Sequence, residues 1–227
     1  IEDRNISVKT MCDCAAMARQ SIKKNALESI AFYNKNMQKA IKERKFVESH
    51  MKKALDNNEF IIYLQPKFSI SSGEAIGYEA LVRWQSPEKG MIYPDGFIPL
   101  FEENGFITKL DAYVWECACM VLRDWIDRHF TPLPISVNVS RANLDDESFL
   151  NVLDGLIEKY RLPKHLLELE ITESIENDTT LRMTEKIKEH GFVLLMDDFG
   201  SGYSSLNTLQ DTRFDVCLLY TSPSPRD

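Results

Sequence analysis

Beyond residue 59 the chain alternates short apolar runs with longer stretches in which apolar positions recur every three or four residues. The runs at 60–64, 76–83, 135–139, 166–171 and 192–196, with another starting at 214–216, predict strands. The amphipathic stretches at 97–103, 110–130, 146–160, 179–190 and 204–210 predict helices. Alternation of nearly continuous apolar strands with helices predicts a mostly parallel sheet covered by helices, either doubly wound or closed into a (βα) barrel. Before residue 59 the pattern differs. Met11, Cys14, Ala15, Ala18 and Ile22 form one helical stripe, a short strand is expected around Ile30 to Tyr33, and a second helix runs from Asn36 to a stop at Asn57 and Asn58. The run from Pro87 to Pro94 reads as a surface hairpin or loop.

Charge divides the chain at the same place. Residues 1–58 hold 12 Lys and Arg against 7 Asp and Glu, a balance of +5; residues 59–227 hold 15 against 28, a balance of −13. An acidic body argues against a nucleic-acid polymer as partner, because that affinity rests on cations neutralising phosphates; it is compatible with a site that takes a cation. At 227 residues and 44% apolar composition the chain reads as a soluble protein of one large domain plus a fragment. No apolar run approaches a membrane span. The five cysteines are odd in number and have no histidine at zinc spacing, so they read as reduced, buried helix residues of a cytoplasmic protein. His50, His129, His165 and His190 are scattered, and Trp84, Trp115 and Trp125 read as packing residues. The chain starts at Ile1 without a signal segment, which predicts a start internal to a longer protein.

Candidate chemistry sits where strands end. Glu79 lies in Gly-Tyr-Glu-Ala-Leu-Val-Arg-Trp, Asn138 in Ser-Val-Asn-Val-Ser, Glu170 in Leu-Glu-Leu-Glu-Ile-Thr-Glu, and Asp197 in Leu-Leu-Met-Asp-Asp-Phe-Gly. In a parallel barrel the C-terminal strand ends converge on one face, so these four groups are expected to meet. Carboxylates brought within ~4 Å repel by roughly 4 kcal/mol per pair at an effective dielectric near 20, so a positive charge must stand among them. Oxygen ligands select a hard cation, Mg2+ or Mn2+ before zinc, and such ions bind phosphate oxygens and activate water. Asp197 and Asp198 then precede a glycine-containing turn into a helix, where one aspartate can cap and the other can bind metal.

Glu-x-Leu-x-Arg at Glu79, Leu81 and Arg83, with Val-Asn-Val-Ser, Glu-Ile-Thr-Glu and Asp-Asp-Phe-Gly-Ser-Gly-Tyr-Ser-Ser-Leu following in that order, resembles the EAL-domain phosphodiesterases that linearise the bacterial second messenger cyclic di-GMP. The resemblance implies a modified TIM-type (βα)8 barrel and a metal-dependent hydrolase yielding linear pGpG. It implies Glu79, Asn138, Glu170, Asp197 and Asp198 as metal ligands, with Glu79, Asp197 and Asp198 catalytic. Gln65, Leu81 and Arg83 match positions that hold the dinucleotide. Glu173 and the loop 198–206, with Gly200, Gly202 and Tyr203, match the segment through which the family couples dimerisation to activity, which implies a homodimer. Residues 1–35 resemble the last helix and strand of GGDEF (diguanylate cyclase-like) domains, with 36–58 as a linker helix and 59–216 as the EAL domain.

The match breaks near the end. The family continues with Phe-Asp-x-Leu-Lys-Ile-Asp, whose lysine helps activate the attacking water; here its position falls on Leu218 and the second aspartate on Tyr220. Residues 217–227 are also the in-frame translation of a transposase adapter used in sequencing libraries, which predicts a non-native tail on an incomplete barrel with open strand edges and little solubility or activity of its own. Besides a phosphodiesterase, two readings stay open: a degenerate EAL domain that senses cyclic di-GMP without cutting it, and a glycoside hydrolase with paired carboxylates on the same barrel.

Overall fold

The computed structural model describes residues 8–22, 30, 32–172, 178–197 and 214–218. The chain divides into two compact units, Ile1–Lys53 and Ala54–Asp227. The first holds α1 (Val8–Ile22) and most of α2 (Lys35–Asp56). Exposed faces of α2 carry ion pairs at one-turn spacing, Lys39 with Glu43 and Arg44 with Glu48. No strand forms at Ile30 or Phe32–Tyr33: these residues are irregular, and Ile30 and Phe32 are exposed, so the β-branched and aromatic run has no apolar face to bury. The helix stop is where the asparagines predict it. Asn58 takes a left-handed conformation (φ 55°), and the Glu59 N–H donates to Ala54 C=O at 2.9 Å, closing the final turn.

In the second unit β1 (Phe60–Phe68) runs antiparallel to β2 (Ala75–Ser86), and β2 folds back on β3 (Gly90–Ile92), the predicted hairpin. From β2 the sheet continues in parallel through β4 (Ile135–Asn138), β5 (Leu167–Thr172), β6 (Val193–Asp197) and β7 (Val216–Cys217). Between the strands run α3 (Ile98–Asn104), α4 (Ile107–Asp127), the short α5 (Arg141–Leu144), α6 (Ser148–Tyr160) and α7 (Asp178–Glu189). This is a mixed α/β sheet of the TIM-like kind, with β1 and β7 at its two ends among the described residues. The helix expected at 204–210 lies outside the described residues. Among the described residues no helix is long and apolar enough to cross a membrane.

Side chains alternate along each strand, and the two faces differ sharply in chemistry. One face is the core beneath the helices: Phe60, Ala80 and Trp84 on β1 and β2, Ile135 and Val137 on β4, Leu167, Leu169 and Ile171 on β5, and Leu194 and Met196 on β6, all under 4% exposed. Phe60 and Trp84 are register partners with ring centroids 5.2 Å apart, and Phe97 and Phe101 of the following segment close over them. Rings in such tilted and edge arrangements gain about 0.5–1.5 kcal/mol per pair beyond their buried area. Trp84 and Trp115 are thus packing residues, and Trp125 lies against Tyr78 at 5.5 Å. The opposite face carries the polar residues. All five cysteines are free, and only Cys119 is fully buried: Cys12 on α1 and Cys217 on the end strand β7 are exposed, and Cys14 and Cys117 are half-buried.

Candidate functional site

Strand register locates each candidate. Gln65 pairs with Glu79, Glu79 with Ser136, and Ser136 with Glu168, so these four share one level of the inner face. The next level holds Leu81, Asn138, Glu170 and Leu195; one step further comes Asp197, beside Thr172. Glu79, Asn138, Glu170 and Asp197 therefore share one face of the sheet across three successive levels; Asn138 and Asp197 are the last residues of β4 and β6, and Glu170 lies two residues before the end of β5. Glu79 differs. It lies inside the twelve-residue β2, at the point where parallel pairing to β4 stops; β2 continues past it with β1 along its other edge and with β3 at Trp84–Ser86.

Among the described residues no three His, Cys, Asp or Glu side chains stand close enough to hold a metal between them. Asp198, Glu173, Gly200, Gly202 and Tyr203 lie outside the described residues. What the structure does supply is a buried carboxyl without hydrogen bonds: Glu170 is fully buried, neither oxygen has a hydrogen-bond partner among the described residues, and its ion pair with Lys67 is long, at 3.6 Å. Burial pushes its carboxyl above the usual carboxylate range, and the Asp197 carboxylate adds to the rise against the opposing pull of the Ser136 hydroxyl and Lys67 ammonium. A buried acceptor without a donor costs about 1–3 kcal/mol, so this one is placed to receive a cation. Oxygen donors from Glu, Asp and Asn suit Mg2+ or Mn2+.

Asn138 is held by its backbone. Its C=O accepts from the Trp115 indole N–H at 3.0 Å, and the next N–H, of Val139, donates to Glu170 C=O at 2.9 Å. One turn before Trp115 on α4, the buried Asp111 carboxylate accepts from Ser140 N–H at 3.0 Å and from the Asn143 amide at 2.7 Å. Burial raises the Asp111 carboxyl to about 6, against those hydrogen bonds, with the Glu102 carboxylate contributing to the rise. A group whose folded value lies above its unfolded value stabilises at low pH and loses that contribution as pH rises through the folded value. Relative to Asp111→Asn, the protein is accordingly expected to gain about 2–3 kcal/mol between pH 7 and pH 4. Denaturant melts of both proteins across that range check it, and parallel pH profiles would refute it.

Arg83 is the expected dinucleotide contact on β2. Its guanidinium lies over the rings of Tyr63 and Tyr93, 5.9 and 5.6 Å from their centroids, and donates to the Val82 C=O at 2.8 Å. Both tyrosines are about half exposed, so Arg83 stands aligned at an open edge of the face with donors left for a phosphate. Gln65 is exposed and Leu81 half-buried on the same face. The motif residues did not point to these tyrosines, to Asp111 and Trp115, or to Lys67, whose ammonium bonds Ser136 and Glu168. Only the exposed aromatic Tyr93 beside Pro94 offered a local signal.

A mostly parallel sheet with carboxylates, an amide and an arginine on one face is the setting of the site. The model of the EAL domain family matches residues 48–219, and the chain belongs to that family. It is 36% identical over 204 residues to an uncharacterised signalling protein of Caulobacter vibrioides, covering 88% of this chain and 25% of the relative. It is 32% identical over 205 residues to the cyclic di-GMP phosphodiesterase NbdA of Pseudomonas aeruginosa, covering 89% and 26%. Among solved structures the PaMucR phosphodiesterase in complex with c-di-GMP superposes with a TM-score of 0.70 at 30% identity, over 75% of this chain and 70% of that one. The chain thus spans about a quarter of the length of those two sequence relatives.

Proposed function

We propose that this domain binds cyclic di-GMP on its inner face and belongs to a phosphodiesterase that opens the dinucleotide to linear pGpG. The observation that carries the reading is Glu170: a buried carboxylate with no hydrogen-bond partner among the described residues and only the Lys67 ammonium, 3.6 Å away, as an ion pair, one strand from Asn138 and one level from Asp197. Glu79, Asn138, Glu170, Asp197 and Asp198 are the residues we assign to a divalent cation, Mg2+ or Mn2+. When bound, such an ion supplies an acidified water and neutralises charge on a phosphate. Arg83 is suited to fork onto a phosphate, with Gln65 and Leu81 lining the same face. The sequence relative named as a phosphodiesterase and the complex with c-di-GMP support the substrate. We further assign residues 1–35 to the end of a GGDEF domain, dimer coupling to Glu173 and the loop bearing Gly200, Gly202 and Tyr203, and a cytoplasmic location to the whole, the last supported by five unpaired cysteines.

A second reading, a sensor that binds without cutting, applies to the chain with Leu218 as a native residue and not as part of the adapter-derived tail. Leu218 stands where the family pattern has its lysine, and its N–H donates to Met196 C=O at 2.8 Å, next to Asp197. Calorimetric titration with cyclic di-GMP, with and without Mn2+, followed by chromatography of the products, separates the two. Saturable binding with linear product supports the phosphodiesterase, and binding without product supports the sensor. Absence of binding in both conditions overturns both.

A further inference from the structure

Lys67 is a second cation of the inner face besides Arg83, and the ligand set does not account for it. Its ammonium donates to Ser136 Oγ at 2.7 Å and to Glu168 Oε2 at 2.7 Å, and stands 3.6 Å from Glu170 Oε1. The side chains of Lys67, Glu168 and Glu170 are 11%, 13% and 0% exposed, and among the described residues no other cation pairs with either carboxylate. Lys67 starts a level below its partners, opposite Gly77, and reaches upward. Gly77 makes room for this: a Cβ there would stand 3.2 Å from Lys67 Cε and 3.0 Å from Pro134 C=O. The Ser136 hydroxyl, which accepts from Lys67, itself donates to Tyr78 C=O at 3.1 Å, so the ammonium sits in a fixed socket and not at the end of a free stem.

We propose that Lys67 is a positioning residue, the resident counter-cation of the barrel floor. It holds Glu168 and Ser136 as a platform beneath Glu170 before any metal arrives, and it moderates the grip of Glu170 on a metal that does. The second half rests on the reading of Glu170 as a ligand. Two consequences follow from charge alone. Without the ammonium, Glu168 and Glu170 are left close together, buried and unbalanced, so the metal-free protein loses stability. A divalent ion at Glu170 no longer faces a positive charge a few ångströms away, so it binds more tightly.

The test measures melting and Mn2+ binding on the full chain, neither of which needs turnover. Lys67→Met, which keeps the length of the stem, is expected to lower the metal-free melting midpoint by about 10 °C and to tighten Mn2+ binding roughly tenfold. Adding Glu168→Gln to that variant is expected to restore most of the lost midpoint, a coupling that loss of lysine packing alone would not produce. Glu168→Gln alone releases the ammonium toward Glu170 and is expected to weaken Mn2+ binding; it serves as the reporter should Lys67→Met fail to fold. Equal Mn2+ affinity in wild type and both single variants overturns the moderating role, and a double variant no more stable than Lys67→Met overturns the counter-cation role. Failure of every form to bind Mn2+ defeats the ligand reading of Glu170 and, with it, the moderating role; it is told apart by leaving the metal-free coupling to decide the counter-cation role.

Discussion

Glu170→Met is expected to abolish Mn2+-dependent stabilisation and any hydrolysis of cyclic di-GMP while raising the midpoint of the metal-free protein by about 2–6 °C. The two effects have one cause. Glu170 is fully buried, with neither oxygen hydrogen-bonded among the described residues and only the 3.6 Å ion pair to Lys67 beside it, and burial raises its carboxyl. A side chain whose only return is structural would not be kept in that state. Methionine matches its length, removes the unpaired acceptors and leaves Lys67 its shorter contacts, to Glu168 and Ser136. Stability is then gained where function is lost, the trade expected of a group held for a ligand. Melting curves with and without Mn2+ measure both halves. A variant less stable than wild type without metal would make the carboxylate a structural element, and an undiminished Mn2+ shift would move the cation elsewhere.

The strands and helices were legible wherever burial follows the chain's own periodicity. β2, β4, β5 and β6 and the helices α4, α6 and α7 lie within a few residues of their expected positions because each has a continuous apolar face. β1 extends four residues past its expected end, through Gln65, Pro66 and Lys67 to Phe68. A proline and two polar residues break the apolar pattern, yet at the end of a sheet, with β2 as its partner, a strand tolerates both. The same feature hid Lys67: its partners lie 69 and 101 residues away, and only folding brings them together. Glu168 was equally obscure, being one of two glutamates in Leu-Glu-Leu-Glu, where alternation places both on one face and register alone assigns one to the floor and the other to the site. The chemical character of the site was visible because its residue types are improbable on buried strands. How those residues are supported, by Trp115 and Asp111 for the Asn138 segment and by Lys67 beneath Glu170, depends on contacts between distant elements that periodicity does not encode.

Leu218→Lys is expected to raise hydrolysis of cyclic di-GMP by about 10²–10⁴-fold, the usual worth of a positioned proton-transfer group. Val216 pairs with Leu195 and Cys217 with Met196, and the Leu218 N–H continues the ladder to Met196 C=O at 2.8 Å. Carrying that register one step further sets residue 218 beside Asp197, and alternation turns its side chain to the face that holds Leu195 and Glu170. A leucine there can neither move a proton nor offset the neighbouring carboxylates; an ammonium can do both, with Asp197 at hand to orient it. Cys217→Lys is the matched control, since residue 217 points to the opposite face and is expected to change nothing in turnover. Product formation by the three proteins at saturating cyclic di-GMP and Mn2+, with binding measured alongside, decides the matter. A gain confined to position 218 makes that side chain the missing proton carrier of the phosphodiesterase. Unchanged turnover with binding retained in all three means that proton transfer at 218 does not limit the domain, and the sensor becomes the better account of its inner face.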